Sequence, residues 1–238
     1  MSDRTARIAW LVGLAAVVSL AVAAVSGSRT PGSIALGTVL QSVGLAVVAR
    51  FVVTHPAFGP PRPWAWGGPS PWLGAAALAG VATAVGSHAF AEVLSHWADD
   101  GHVRAVSGWL SEGGAGPVAL AVAFTAAAPV GEELLFRGAL WEAVDDGRRP
   151  WLAWLVTTLA FAAWHGDPLQ AAALLPVSAV FGLVRLRGGV VAAVAAHAVH
   201  NGVAVGWLSD APSVSGVAAA SVATVLAALA FAAPSGRR

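Results

Sequence analysis

The chain has 238 residues, of which 57% are hydrophobic and 11% charged, a balance that excludes an ordinary soluble domain and points to a polytopic membrane protein. It contains no cysteine, which excludes disulfides, thiolate metal ligands and a cysteine nucleophile and leaves the redox compartment undetermined. Its 13 basic residues, all Arg, and 12 acidic residues leave a net charge of +1, which provides no field suited to nucleic acid, so no nucleic-acid partner is expected.

Membrane-length apolar windows run in order over Ile8–Val25, Ile34–Val53, Trp72–Leu94, Gly116 to about Val144, Trp151–His165, Leu169–Val184, Gly189–Leu208 and Val214–Phe231. They predict an all-α fold, a polytopic membrane helical bundle of about eight transmembrane helices. The first window follows Arg4 and Arg7, and its length favours a retained span over a signal peptide. The segment Thr54–Pro71 carries six prolines and is expected as an extended loop, with Trp64, Trp66 and Trp72 anchoring it among the headgroups. The polar stretch Ser95–Gly116 is expected to be the largest loop on the opposite side. No internal repeat or separate soluble domain is visible. Residues 1–238 are therefore expected to form one integral-membrane domain, with 1–115 as scaffold and access helices, 116–208 as the helices carrying the chemistry, and 209–238 as the last span and tail.

Alternate threading of these spans puts Arg4, Arg7, Arg50, Arg62, Arg148, Arg149, Arg185, Arg187, Arg237 and Arg238 on one side, with Arg29 and Arg104 on the other. The positive-inside rule then places both termini in the cytoplasm and the protein in the cell membrane.

Three polar clusters interrupt the apolar windows: Glu132, Glu133 and Arg137; Phe161 to His165; and His197 to Asn201. Adjacent carboxylates at bilayer depth are expensive, which favours chemistry over scaffolding. At 1.5 Å per residue Glu133 lies about 18 Å from the end of its helix, His165 about 21 Å above Trp151, and His197 and Asn201 about 12 and 18 Å above Gly189, so the clusters can meet near mid-membrane. Glu133 and Arg137 are four apart in the favourable orientation for an ion pair, while Glu132 points about 100° away. Two neighbouring carboxylates do not both ionise cheaply in a low dielectric, so Arg137 is expected to compensate Glu133 and leave Glu132 free as a general base. His197 and Asn201 share a helix face from which imidazole and amide donate to a single oxygen, as in an oxyanion hole. Gly166-Asp167-Pro168 is a turn signal between two short windows, and Pro129 and Gly131 predict a kink or local opening just before the acidic pair.

Plainer readings exist for the same residues. The acidic pair and Arg137 form a structural clasp in one of them; Phe161, Trp164 and His200 are packing residues, and His55, His88, His96 and His102 lie in loops or near span ends where snorkelling suffices. A proton-coupled transporter would use the Glu and His cluster as a relay, and a haem protein would use His165 with His197 or His200 as axial ligands.

The segments EELLFR at Glu132 to Arg137, FAAWH at Phe161 to His165 and HAVHN at His197 to Asn201 resemble, in order and spacing, the motifs of the CAAX protease and bacteriocin-processing membrane proteases, also called the Abi or type II CAAX prenyl endopeptidase group. The likeness covers roughly Thr125 to Gly206. It implies an intramembrane endopeptidase in which Glu132 and His165 activate a water, His197 and Asn201 stabilise the oxyanion, and Glu133 and Arg137 support them. Such a protein acts on a membrane-embedded or lipid-anchored peptide or protein within the lipid bilayer. High Ala, Gly and Arg without Lys resembles a high-GC bacterial proteome, which favours a membrane peptide over a prenylated protein. Family proteins are often labelled metalloproteases, and Glu132, His165 and His197 are the candidate ligands of a catalytic zinc. No HExxH spacing is present, Glu133 and Asp167 are the only candidate outer partners, and a metal-free mechanism with no cofactor is the expectation.

Overall fold

A computed structural model of the chain describes residues 3–25, 29–58, 72–97, 99 and 101–232, and among these the secondary structure is helical with no strand. The helices are α1 (Asp3–Val25), α2 (Pro31–Thr54), α3 (Trp72–Leu94), α4 (Gly101–Ser111), α5 (Ala115–Val144), α6 (Pro150–Trp164), α7 (Pro168–Leu208) and α8 (Pro212–Ala232). Proline opens α2, α6, α7 and α8, where its missing N–H costs no helical hydrogen bond. Thr30 and Ser33 form a capping box at α2, and Asp167 accepts from the Gln170 N–H to cap α7.

Among the described residues, six helices are long and apolar enough to cross a membrane: α1, α2, α3, α5, α7 and α8. The chain is a multi-pass all-α membrane bundle. The other two expected spans take a different form. Helix α6 has 15 residues and spans only about 22 Å. The sixth and seventh windows lie within the 41-residue α7, whose backbone is non-helical at Gly189 (φ 72°, ψ −172°), a conformation that glycine adopts without strain. The chain reverses there. Phe181 and His197, eight residues to either side, stack with ring centroids 5.0 Å apart, whereas a continuous helix would separate them by about 24 Å. Residues 168–188 (α7a) and 190–208 (α7b) are thus antiparallel arms.

The stretch expected as the largest loop contains α4, an amphipathic helix. Its Val106 and Leu110 are buried against Ala35, Leu120 and Val205, and Ser107 Oγ donates to the Leu208 carbonyl. Trp64, Trp66 and Arg62 of the proline-rich segment lie outside the described residues, as do Asp100, Arg237 and Arg238.

Helix α5 opens as Pro129 predicted, by widening. Two π-helical stretches, Ala123–Ala127 and Leu134–Leu140, flank the α-helical Ala128–Glu133. A proline ring clashes with the carbonyl four residues back, here Thr125, and a wider turn relieves that clash. The middle of α5 lies close against α2: a Cβ added at Gly131 would sit 2.5 Å from Ser42 Cα and 2.6 Å from the Ser42 carbonyl oxygen.

The two ends of the bundle differ in charge. Arg4 lies 4.0 Å from Asp146, and Arg185 donates to Glu142 at 2.6 Å, so the start of α1, the end of α5 and the end of α7a share one end. The carboxyl of Asp146, in the α5–α6 turn, is held below the usual carboxylate range by the Arg148 backbone N–H. At the opposite end α4 covers the C-terminus of α7b, with Ser209 Oγ donating to the Leu110 carbonyl. The described arginines of the large group gather at the first end, while Arg29, just before α2, and Arg104, within α4, lie at the second.

Gly131→Ala tests the α2–α5 approach. The neighbouring atoms are backbone and cannot swing away, so overpacking costs about 1–3 kcal/mol and lowers the melting temperature of detergent-purified protein. Gly13→Ala, in α1 with nothing within 4 Å of its added Cβ, is expected to leave that temperature unchanged or raised.

Candidate active site

The acidic pair sits where α5 returns to α-helical geometry between its two wide stretches, so Glu132 and Glu133 point in different directions. Glu133 faces inward and is fully buried, as is Arg137 one turn on. Arg137 Nη1 donates to Glu133 Oε1 at 3.0 Å, the ion pair that the spacing predicts. Its Nη2 reaches α7a, donating to the Ser178 carbonyl at 2.8 Å and Ser178 Oγ at 2.7 Å. The guanidinium also lies over the Phe161 ring, 4.6 Å from its centroid. Phe161 and Ser178, both buried, therefore enclose the charge together with Glu133.

Glu133 Oε1 has a second partner. His197 Nδ1, on α7b, lies 2.9 Å from it, and the imidazole is fixed by the stacked Phe181 ring and the edge-on Phe161 ring. Glu133 thus ties α5 to α7b, while Arg137 ties it to α7a. The other imidazole nitrogen, Nε2, lies 3.9 Å from Glu132 Oε2. The two carboxylates therefore address opposite edges of one histidine.

His165 stands just past the last residue of α6, where Gly166 (φ 72°) ends the helix. Its Nδ1 lies 3.0 Å from the Phe161 carbonyl, one of the carbonyls that a helix end leaves without an intrahelical partner. A carbonyl only accepts, so Nδ1 carries the proton in that bond and neutral His165 keeps its lone pair on Nε2.

Asn201 is positioned by the first wide stretch of α5. The Ala128 N–H donates to the Ala123 carbonyl, five residues back, and in that register the donor for Phe124 would be Pro129, which has no N–H. The Phe124 carbonyl instead accepts from Asn201 Nδ2 at 2.8 Å. The sequence reading treated His197 and Asn201 as two free donors, yet each commits one nitrogen or one N–H to α5. His197 Nε2 and the second N–H of the Asn201 amide remain.

Glu132, His165, His197 and Asn201 line a single cavity of about 500 Å³. Glu132 is partly accessible, in contrast to Glu133. His200, read as a bystander, also reaches the cavity, although its Nδ1 is hydrogen-bonded to Thr83 Oγ1 at 3.1 Å. His88, grouped with the span-end histidines, lies on the cavity wall against Trp207, with ring centroids 5.2 Å apart. The sequence reading missed Ser178, Phe181 and the buried pair of Arg185 with Glu142. Arg185 had counted only as a charge on one side of the membrane, but it also donates from Nε to the Arg137 carbonyl and lies over the Trp141 ring at 4.4 Å. Nothing in the spacing of these residues marks them. Ser178 and Arg185 meet Arg137 and Glu142 because α7a packs against α5, and Phe181 meets His197 because α7 reverses at Gly189.

The zinc alternative needs Glu132, His165 and His197 close around one point. Among the described residues no group of three or more His, Asp or Glu side chains is arranged to hold a metal ion, and Asp167, a candidate outer partner, caps α7. The donor set as placed does not fit a three-ligand zinc site.

Residues 114–203, which contain all three motifs, match the family model described as type II CAAX prenyl endopeptidase Rce1-like. Comparison with curated proteins and with solved structures gives no match. The matched segment starts at the loop before α5 and ends within α7b, so helices α1 to α4 lie outside it although α2, α3 and α4 supply cavity wall.

Arg137→Ala leaves the buried Glu133 carboxylate without its guanidinium, a change that costs about 3–5 kcal/mol. Expression and melting temperature are both expected to fall steeply. An Arg137→Ala protein as stable as wild type would remove the clasp.

Proposed function

We propose that this protein is an intramembrane endopeptidase that hydrolyses a peptide bond of a membrane-embedded or lipid-anchored substrate by a metal-free mechanism. The observation that carries the reading is the division of labour between adjacent carboxylates: Glu133 is sealed in with Arg137 and His197, and Glu132 is left partly accessible on the cavity wall.

A water between Glu132 and His165 gives its proton to the Glu132 carboxylate while its oxygen attacks the carbonyl carbon of the scissile bond. His165 Nε2 accepts the water's other hydrogen and fixes its orientation. The carbonyl π electrons move to oxygen, where the free N–H of Asn201 and a protonated His197 Nε2 donate. Doubly protonated His197 donates Nδ1–H to Glu133 and presents Nε2–H to the cavity. Together with Arg137 it supplies two positive charges against the two carboxylates. Collapse of the tetrahedral species breaks the C–N bond, and the proton held by Glu132 passes to the departing amine. Helices α2, α3 and α4 act as scaffold and access for this chemistry.

The Arg partition supports an orientation in the cell membrane with the Arg4, Arg148 and Arg187 end in the cytoplasm. With no native cysteine to interfere, an impermeant thiol reagent on intact cells is expected to label Asp99→Cys and to leave Arg148→Cys unlabelled. Labelling at position 148 would reverse the orientation.

Glu132→Gln keeps the side-chain shape and removes the base. Cleavage is expected to fall by about 10²–10⁴-fold with the fold retained, and full turnover in detergent would sink the mechanism. Elemental analysis of active protein tests the metal-free step: one tightly bound zinc per chain, with activity lost on its removal and restored on its return, would overturn it.

A further inference from the structure

The cavity occupies one half of the bundle. Its lining positions are 34–41 of α2, 84–91 of α3, 103–109 of α4, 124–132 of α5, 161–165 of α6, 169–181 of α7a and 197–208 of α7b. Each range lies towards the α4 end of its helix, because α2, α5 and α7a start at that end and α3, α6 and α7b finish there. The other half, where Arg185, Glu142 and Trp141 interlock, contributes no lining residue. His88 and Trp207, both exposed, stand where α3 and α7b approach α4.

The wall also has a chemical signature. Among the described lining residues Glu132 is the only carboxylate and there is no arginine; the rest is apolar or neutral polar, apart from four histidines. A free C-terminal carboxylate drawn down to Glu132 would meet a like charge and no cation beyond the His197 imidazolium, which Glu132 and Glu133 already share. An internal bond within an uncharged, apolar stretch brings no such conflict. Hydrolysis also needs the scissile backbone in extended form, and Gln41, Ser87 and Gln170 on the wall are positioned to hydrogen-bond the freed peptide groups of an unwound segment.

From these observations we infer that the active site opens towards the non-cytoplasmic face, through a mouth beside α4, and takes an internal, uncharged segment of an exported or membrane-spanning polypeptide from the outer half of the bilayer. The inference rests on the endopeptidase reading for its substrate and on the Arg partition for its sidedness, but not on activity for its test of access.

Two measurements separate these. On intact cells, Ser87→Cys, in the wall, and Val103→Cys, at the mouth, are expected to react with an impermeant maleimide, while Arg148→Cys reacts only after permeabilisation. If Ser87→Cys and Val103→Cys are protected until permeabilisation, the mouth faces the cytoplasm and the inference is overturned, whatever the activity. Terminal-peptide proteomics of membranes from cells with wild-type or Glu132→Gln protein then reads the substrate. Wild-type-specific new termini within outer-half or exported segments are the expected result. Such termini confined to cytoplasmic segments or to the last few residues of proteins overturn the inference. Identical termini in the two strains would count against the endopeptidase reading itself and so against the proposed substrate, leaving sidedness to the thiol result.

Discussion

A guanidinium and a carboxylate, both fully buried in a membrane protein, are the constraint around which this fold is arranged. Moving either alone out of water is prohibitive, and their mutual attraction offsets more of the cost as other donors and acceptors find partners. Glu133 Oε1 and both Arg137 Nη atoms do so, while Glu133 Oε2 and Arg137 Nε find none among the described residues. Each partner here comes from a different helix: Ser178 from α7a, His197 from α7b and the Phe161 ring from α6. Satisfying one ion pair therefore fixes four helical segments relative to one another. It also leaves Glu132, the adjacent carboxylate on the same turn of helix, with the cavity to face. Charge compensation at Glu133 and chemical availability at Glu132 are two consequences of one helical phase difference.

Pro129 shows how a local defect becomes a positioning device. Its missing N–H and its ring widen α5 over Ala123–Ala127, and the Phe124 carbonyl released by that widening holds Asn201. Helix widening near functional positions is common because it turns carbonyls away from their own helix. In this chain the carbonyl so exposed orients an amide on α7b, and a buried backbone group that would otherwise lack a partner is satisfied.

Much of this was legible in the sequence. Periodicities of three and four placed Glu133 with Arg137 and set Glu132 apart, the Gly166-Asp167-Pro168 turn ended α6 at His165, and Pro129 marked the opening in α5. What was not legible depends on tertiary proximity. Ser178 and Arg185 lie on a largely apolar helix where no motif spacing singles them out, and they meet Arg137 and Glu142 only through the packing of α7a against α5. Helix α4 reads as loop because the stretch Ser95–Gly116 that contains it is polar and Gly-rich, although Val103, Val106 and Leu110 repeat at helical spacing. The free donors ascribed to His197 and Asn201 were half spent, since sequence spacing shows which residues share a face but not what stands opposite.

The bundle divides into a filled half and a hollow one. At the Arg-rich end Leu11, Leu45, Phe136 and Trp141 belong to one continuous core with the Arg185 clasp beside it, whereas at the α4 end the cavity lies beside a smaller core of Leu110, Leu120 and Val205. The acidic pair sits at the boundary, rigidly held from one side and open from the other. The most direct test compares Glu132→Gln with Glu133→Gln, measuring new peptide termini and melting temperature on the same preparations. The account predicts that both variants lose cleavage but that only Glu133→Gln, which disrupts the charge seal, melts at a lower temperature. Equal thermal losses in the two, or cleavage retained by Glu132→Gln and lost in Glu133→Gln, would contradict it.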